Sequence, residues 1–131
     1  MTPASRGGED DWIPGQKNDH GVYCPTEVLR MERDKKGWCG VARVEIDLCE
    51  SSDGWRGSRG FQFFSGDHWG SCSPMTDDGP LHPTREAAIK EQVERLHRDF
   101  ANLDDPAMQK EAREMLEWAD GLVPVQMDMF A

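Results

Sequence analysis

Residues 38–48, Trp38-Cys39-Gly40-Val41-Ala42-Arg43-Val44-Glu45-Ile46-Asp47-Leu48, decide the fold. Trp38, Gly40, Ala42, Val44, Ile46 and Leu48 fall on one parity, and Cys39, Val41, Arg43, Glu45, Asp47 and Cys49 on the other. Successive side chains of a strand point to opposite faces, so this alternation predicts a half-buried strand. Upstream, Thr26–Arg33 runs into Asp34-Lys35-Lys36-Gly37, which predicts a hairpin. Downstream, Ser51-Ser52-Asp53-Gly54 is a second turn, and Trp55–Phe64 a further strand with Phe61 and Phe63 on one face and Phe64 on the other. His68–Cys72 supplies a short last strand. Consecutive strands joined by tight turns form a meander, so the sheet is antiparallel with three to four strands.

Prolines and turn residues over 73–83 end the sheet, and two helices follow. The first spans 84–100 with Thr84 as N-cap, and Ile89, Val93, Leu96 and Phe100 repeat at helical spacing along one face. After a connection at 102–105, the second has Asp105 as N-cap, Pro106 at its first position and Gly121 at its end. Its buried stripe is Met108, Ala112, Met115 and Ala119. Strands first and helices after define an α+β fold, both helices packing on one face of the sheet.

Residues 1–20 show no period of 2 or 3.6 and are expected to form a mobile arm, with the domain at 21–122 and a docking tail at 123–131. At 131 residues the chain is of single-domain size. Its mean hydropathy of −0.75 is polar. No run approaches the roughly 20 apolar residues of a membrane span. The first residues lack the apolar stretch of a secretion signal, so a cytoplasmic location is expected. The formal charge of −10 argues against a direct nucleic-acid grip, which needs clustered Lys and Arg. Acidic residues concentrate late in the chain, and Glu111, Glu114, Glu117 and Asp120 make a candidate acidic face. Such a face would steer the chain to a basic partner, or imitate DNA before a DNA-binding protein.

The segment after Pro124 carries Gln126-Met127-Asp128-Met129-Phe130. Gln126 offers an amide donor and acceptor, Met127, Met129 and Phe130 offer apolar groups for a pocket, and Asp128 keeps the strip soluble. This pentapeptide resembles the bacterial sliding-clamp-binding motif: Gln, a variable or aliphatic residue, Asp or Ser, Leu or Met, then Phe. The resemblance covers these five residues alone and implies that Gln126 fills a small polar subsite, with Met129 and Phe130 in the main hydrophobic one. Methionine stands at both positions where leucine is commonest. No family is recognised for the core. The expected function is a small non-enzymatic interaction protein of a phage or plasmid that docks on the clamp. The alternative is an acidic inhibitor, anti-CRISPR or DNA-mimic in kind, acting on a basic host protein or ribonucleoprotein through its folded surface.

Chemistry has weaker signals. His20/Cys24 and His68/Cys72 are the residue types of a zinc site, but no Cys-x-x-Cys anchors them, and neither metal nor other cofactor is expected. Asp67-His68 beside Ser71 and Cys72 lacks an oxyanion hole or a nucleophile turn, so no catalysis is expected. The stretch Gly54–Gly60 holds Arg56 and Arg59 but no Lys-Ser/Thr ending, so it is not a phosphate loop.

Overall fold

The structure, a computed structural model, describes residues 13–33 and 42–123. Strand β1 (Glu27–Met31) pairs with β2 (Val44–Ser51), β2 with β3 (Gly54–Gln62), and β3 with β4 (Gly70–Cys72), all antiparallel and in sequence order. Helices α1 (Arg85–Asp99) and α2 (Pro106–Asp120) follow. The four-stranded meander and two helices make the α+β arrangement expected of the sequence. The turn at Lys35-Lys36-Gly37 and the first residues of the alternating stretch, Trp38–Val41, lie outside the described residues.

Parity places the core. Val44, Ile46 and Leu48 are fully buried and pair with Phe61, Arg59 and Gly57 on the face that α1 covers. Against them stand Ala88, Ile89, Val93, Leu96 and Phe100, with Met108, Ala112, Met115 and Ala119 of α2 completing the cluster. Gly57 lets α1 sit close: a Cβ there would stand 3.0 Å from Cγ of the buried Gln92. The rings of Phe61, Phe63 and Phe100 meet edge-on, and Trp69 stacks on Phe63 at 5.9 Å between centroids. Edge-on pairs set the positive ring edge against a negative face and add to the area they bury.

Local chemistry fixes the boundaries. Thr84 Oγ1 accepts from Ala87 N at 3.1 Å, and Asp105 Oδ1 accepts from Ala107 N at 2.8 Å and Met108 N at 3.2 Å. These satisfy amide donors that a first helical turn leaves orphaned. Gly121 closes α2 with φ −66°, a right-handed value that any residue adopts. In the β2–β3 turn Gly54 has φ +141°, and a Cβ there would strike the carbonyl of His82 at 2.7 Å. That carbonyl accepts from Trp55 N, so a side chain at 54 would break the bridge tying the sheet to the start of α1.

Of the segment 1–20 expected to form an arm, residues 1–12 lie outside the described residues and 13–20 make backbone contacts. Gly15 N donates to Cys24 O, Lys17 bridges to Tyr23, and Tyr23 N donates to Met75 O. Residues 13–25 thereby lie against the face away from the helices, where Cys49, Arg56 and Ser58 are buried. The Arg56 guanidinium sits 4.2 Å from the centre of the Tyr23 ring, a cation–π contact, and Tyr23 Oη donates to Asp77 at 2.7 Å.

Candidate functional site

Gln126, Met127, Asp128, Met129 and Phe130 lie outside the described residues. The four acidic residues of α2 divide. Glu114, Glu117 and Asp120 are exposed, Glu114 with Arg43 Nη2 at 2.7 Å and Asp120 with His97 Nε2 at 2.8 Å. Glu111 is buried and cannot belong to a solvated face. Its carboxylate accepts from Arg33 Nη2 at 2.7 Å, Phe64 N at 3.0 Å, Ser65 N at 3.1 Å and Ser65 Oγ at 2.6 Å. Burial alone would push this carboxyl up. The Ser65 hydroxyl, the Phe64 amide, the Arg33 guanidinium and the Ser65 amide overcome it and hold Glu111 at about 2. Glu111 is therefore a latch between α2, the end of β1 and the loop after β3.

Arg56 and Arg59 are likewise spoken for. Arg59 forks onto Asp99 at 2.9 and 3.0 Å and reaches Ser73 Oγ, while Arg56 faces Tyr23 with Asp53 at 3.5 Å. The stretch Gly54–Gly60 is strand β3 itself.

A second group of side chains does converge. On the face away from the helices, Arg30, Glu45, Gly60 and Cys72 form one row across all four strands, and Val28, Asp47 and Ser58 form the adjacent row. Here the sheet is hollowed into a cavity of about 470 Å³ lined by Glu45, Asp47, Ser58, Gly60, Cys72 and Ser73 among others. Gly60 opens its floor, since a Cβ there would stand 3.1 Å from Cys72 Cβ. Asp47 Oδ1 is buried and has no hydrogen-bond donor. Burial pushes Asp47 up to about 7, and the adjacent Glu45 carboxyl adds to this as hydrogen-bond partner and as charge. Glu45 moves the other way, lowered by its hydrogen bond to Asp47 and by Arg30, whose Nε lies 2.9 Å from Glu45 Oε1. The two carboxyls thus hold one proton between them, with Asp47 its owner.

Sequence reasoning put Glu45 and Asp47 on the parity opposite the core but did not single them out. Their i, i+2 spacing on one strand was the available signal. The zinc pairs are scattered. Cys24, within the segment 13–25, and Cys49, on β2, are both buried, whereas Cys72 pairs with Gly60, four residues along β3 from the Arg56 that faces Cys49, or roughly 13 Å. Among the described residues, no three ligating side chains group to hold a metal, and no helix is long and apolar enough to cross a membrane. No family model, curated protein or solved structure matches the chain.

Proposed function

We propose that this chain is a small non-enzymatic interaction protein of a bacterial phage or plasmid, working in the cytoplasm and docking on the DNA sliding clamp through Gln126–Phe130. The observation that carries this reading is the run of five consecutive residues that fits the clamp-binding pattern, shortly past the cap of α2 at Gly121. In this reading Gln126 fills the polar subsite, Met129 and Phe130 fill the hydrophobic one, and Asp128 stays solvated. A short segment ordered on docking loses conformational entropy, so the affinity is on the order of micromolar, or about 8 kcal/mol. Calorimetry against a purified bacterial sliding clamp tests it. The intact chain binds, and Phe130→Ala weakens binding by about 2 kcal/mol or more because the pocket loses its main anchor. Equal binding by the wild type and a Gln126→Ala, Phe130→Ala variant, or binding by neither, sinks the proposal.

A second reading, an acidic inhibitor of a host nucleic-acid-binding complex, is supported by the exposure of Glu114, Glu117 and Asp120 along α2. It acts without Glu111, which is committed inside the fold.

A further inference from the structure

We propose that the cavity on the face of the sheet away from the helices binds a small molecule bearing an alkylguanidinium group, with Glu45 and Asp47 as its counter-ions. The proposal goes beyond clamp docking and concerns the folded domain.

Size comes first. A volume of about 470 Å³ lies within the roughly 300–1,000 Å³ of pockets that enclose small ligands. The lining is largely apolar, with two carboxyls and the Ser58 hydroxyl as its acceptors; Arg59 also lines it but is held by Asp99 and donates to Ser73 Oγ at 2.9 Å. A buried carboxyl oxygen without a donor is costly, and Asp47 Oδ1 is such an atom. The free protein reduces the cost by keeping a proton on Asp47; Oδ1 is closed to solvent, so a cation in the cavity meets this carboxyl through its other oxygen or after it turns, and then supplies both donors and charge. Glu45 and Asp47 sit two residues apart on one strand, with their carboxyls within hydrogen-bonding reach of each other. A planar guanidinium, with five donors in a fixed fork, bridges such a pair better than a compact ammonium. Glu45 already takes one guanidinium, that of Arg30, at 2.9 Å from the β1 side. The exposed thiol of Cys72 stands in the same row, across Gly60, and so reports on occupancy.

Entry of the cation expels the proton of Asp47. The groups facing Asp47 among the described residues are Val28 on β1, Ser58 on β3, its strand neighbour Glu45 and, one row on, Arg30. Glu45 and Arg30 are charged, as is Arg56 one row to the other side beside Cys49, and Arg30 stays charged throughout. Affinity therefore rises about tenfold per pH unit up to about pH 7 and then levels.

The test uses the full chain with agmatine, with its neutral counterpart butylurea, and with the tripeptide Gly-Arg-Gly. Expected are saturable calorimetric binding of agmatine, on the order of 0.1 mM at pH 8, proton release at pH 6 seen as a buffer-dependent heat, and slower alkylation of Cys72 by N-ethylmaleimide when agmatine is present. Asp47→Asn and Glu45→Gln each weaken binding by about tenfold or more. Glu117→Gln on α2 leaves it unchanged and shows that general charge is not the cause. Circular dichroism establishes that the variants fold. Equal binding of butylurea, retained affinity in both folded carboxyl variants, or no protection of Cys72 at saturating agmatine overturns the proposal. Tighter binding of the tripeptide than of agmatine overturns the assignment to a free small molecule.

Discussion

Glu111 and Asp47 are two carboxyls of one small domain, both raised by burial, with opposite fates. Glu111, at the junction of α2 with the sheet, collects a guanidinium, two backbone amides and a hydroxyl and stays ionised down to about 2. Asp47, on the far face of the sheet, has an oxygen without any donor and a carboxyl neighbour, and holds its proton up to about 7. Burial pushes both carboxyls up, so the difference lies in the donors. Where donors are supplied, the carboxylate is structural. Where they are withheld, burial leaves the proton in place.

The largest expected effect breaks the first half of that comparison. Glu111→Gln removes the carboxylate facing the buried Arg33 guanidinium, which keeps its bond to Gln62 O, and turns an amide donor toward the Ser65 and Phe64 donors. Urea denaturation at pH 7 should show a loss of about 3–5 kcal/mol. The sign with pH follows from a folded-state value depressed from 4.5 to about 2. The stability this group confers is fully present above about pH 4.5 and is lost as pH falls toward 2, so the variant and the wild type converge in acid. A gap that stays constant from pH 7 to pH 3 would show that the charge of Glu111 is not what holds the latch.

Asp47→Asn addresses the other half. Here the folded-state value is raised, from 3.8 to about 7. The contribution is thus fully present below about pH 3.8 and is lost as pH rises through 7, the reverse of Glu111. Asparagine mimics the protonated form at every pH. The variant should match the wild type only below about pH 3.8, pull ahead as pH rises toward 7, and exceed it at pH 8 by about 1–2 kcal/mol, a range reduced for partial solvent screening. Thermal melts across that range measure it, and a variant less stable than the wild type at pH 8 would mean that the ionised carboxylate has a partner in the fold.

Much of the frame was legible in the residues, and the contrast between these two carboxyls was not. The parity of Val44, Ile46 and Leu48, the caps Thr84 and Asp105, and the stripe Met108, Ala112, Met115 and Ala119 are local signals, and the structure follows them. Glu111 stands beside that stripe, next to Ala112, and on helical spacing alone reads as one acid among four. Its donors come from Arg33 and Ser65, 78 and 46 residues away, and no local pattern announces them. Residues 13–25 escaped for a similar reason. They are held by backbone bonds such as Tyr23 N to Met75 O and by the Lys17–Asp77 ion pair, which carry no period. The pair Glu45 and Asp47 was visible as neighbours on one face, but the hollow made by Gly60 opposite Cys72 needs the pairing of β3 with β4.

Glu117 supplies a third kind of carboxyl, exposed on α2, and the smallest expected effect. Glu117→Lys should change stability by no more than about 0.5 kcal/mol, since its side chain is exposed and in no buried pair and a cation in the last turn of α2 suits the helix dipole. Its value lies in separating charge from structure, which the buried Glu111 cannot do. If α2 presents an acidic face to a basic partner, reversal at Glu117 slows association at low salt while the dissociation rate hardly moves, because rim charges act through steering. Surface plasmon resonance with a purified CRISPR effector ribonucleoprotein, at several salt concentrations, reads this directly. Association by the wild type that ignores both ionic strength and the reversal, or no association at all, removes the acidic-inhibitor reading and leaves Glu114, Glu117 and Asp120 as solvated charge beside a latch that points inward.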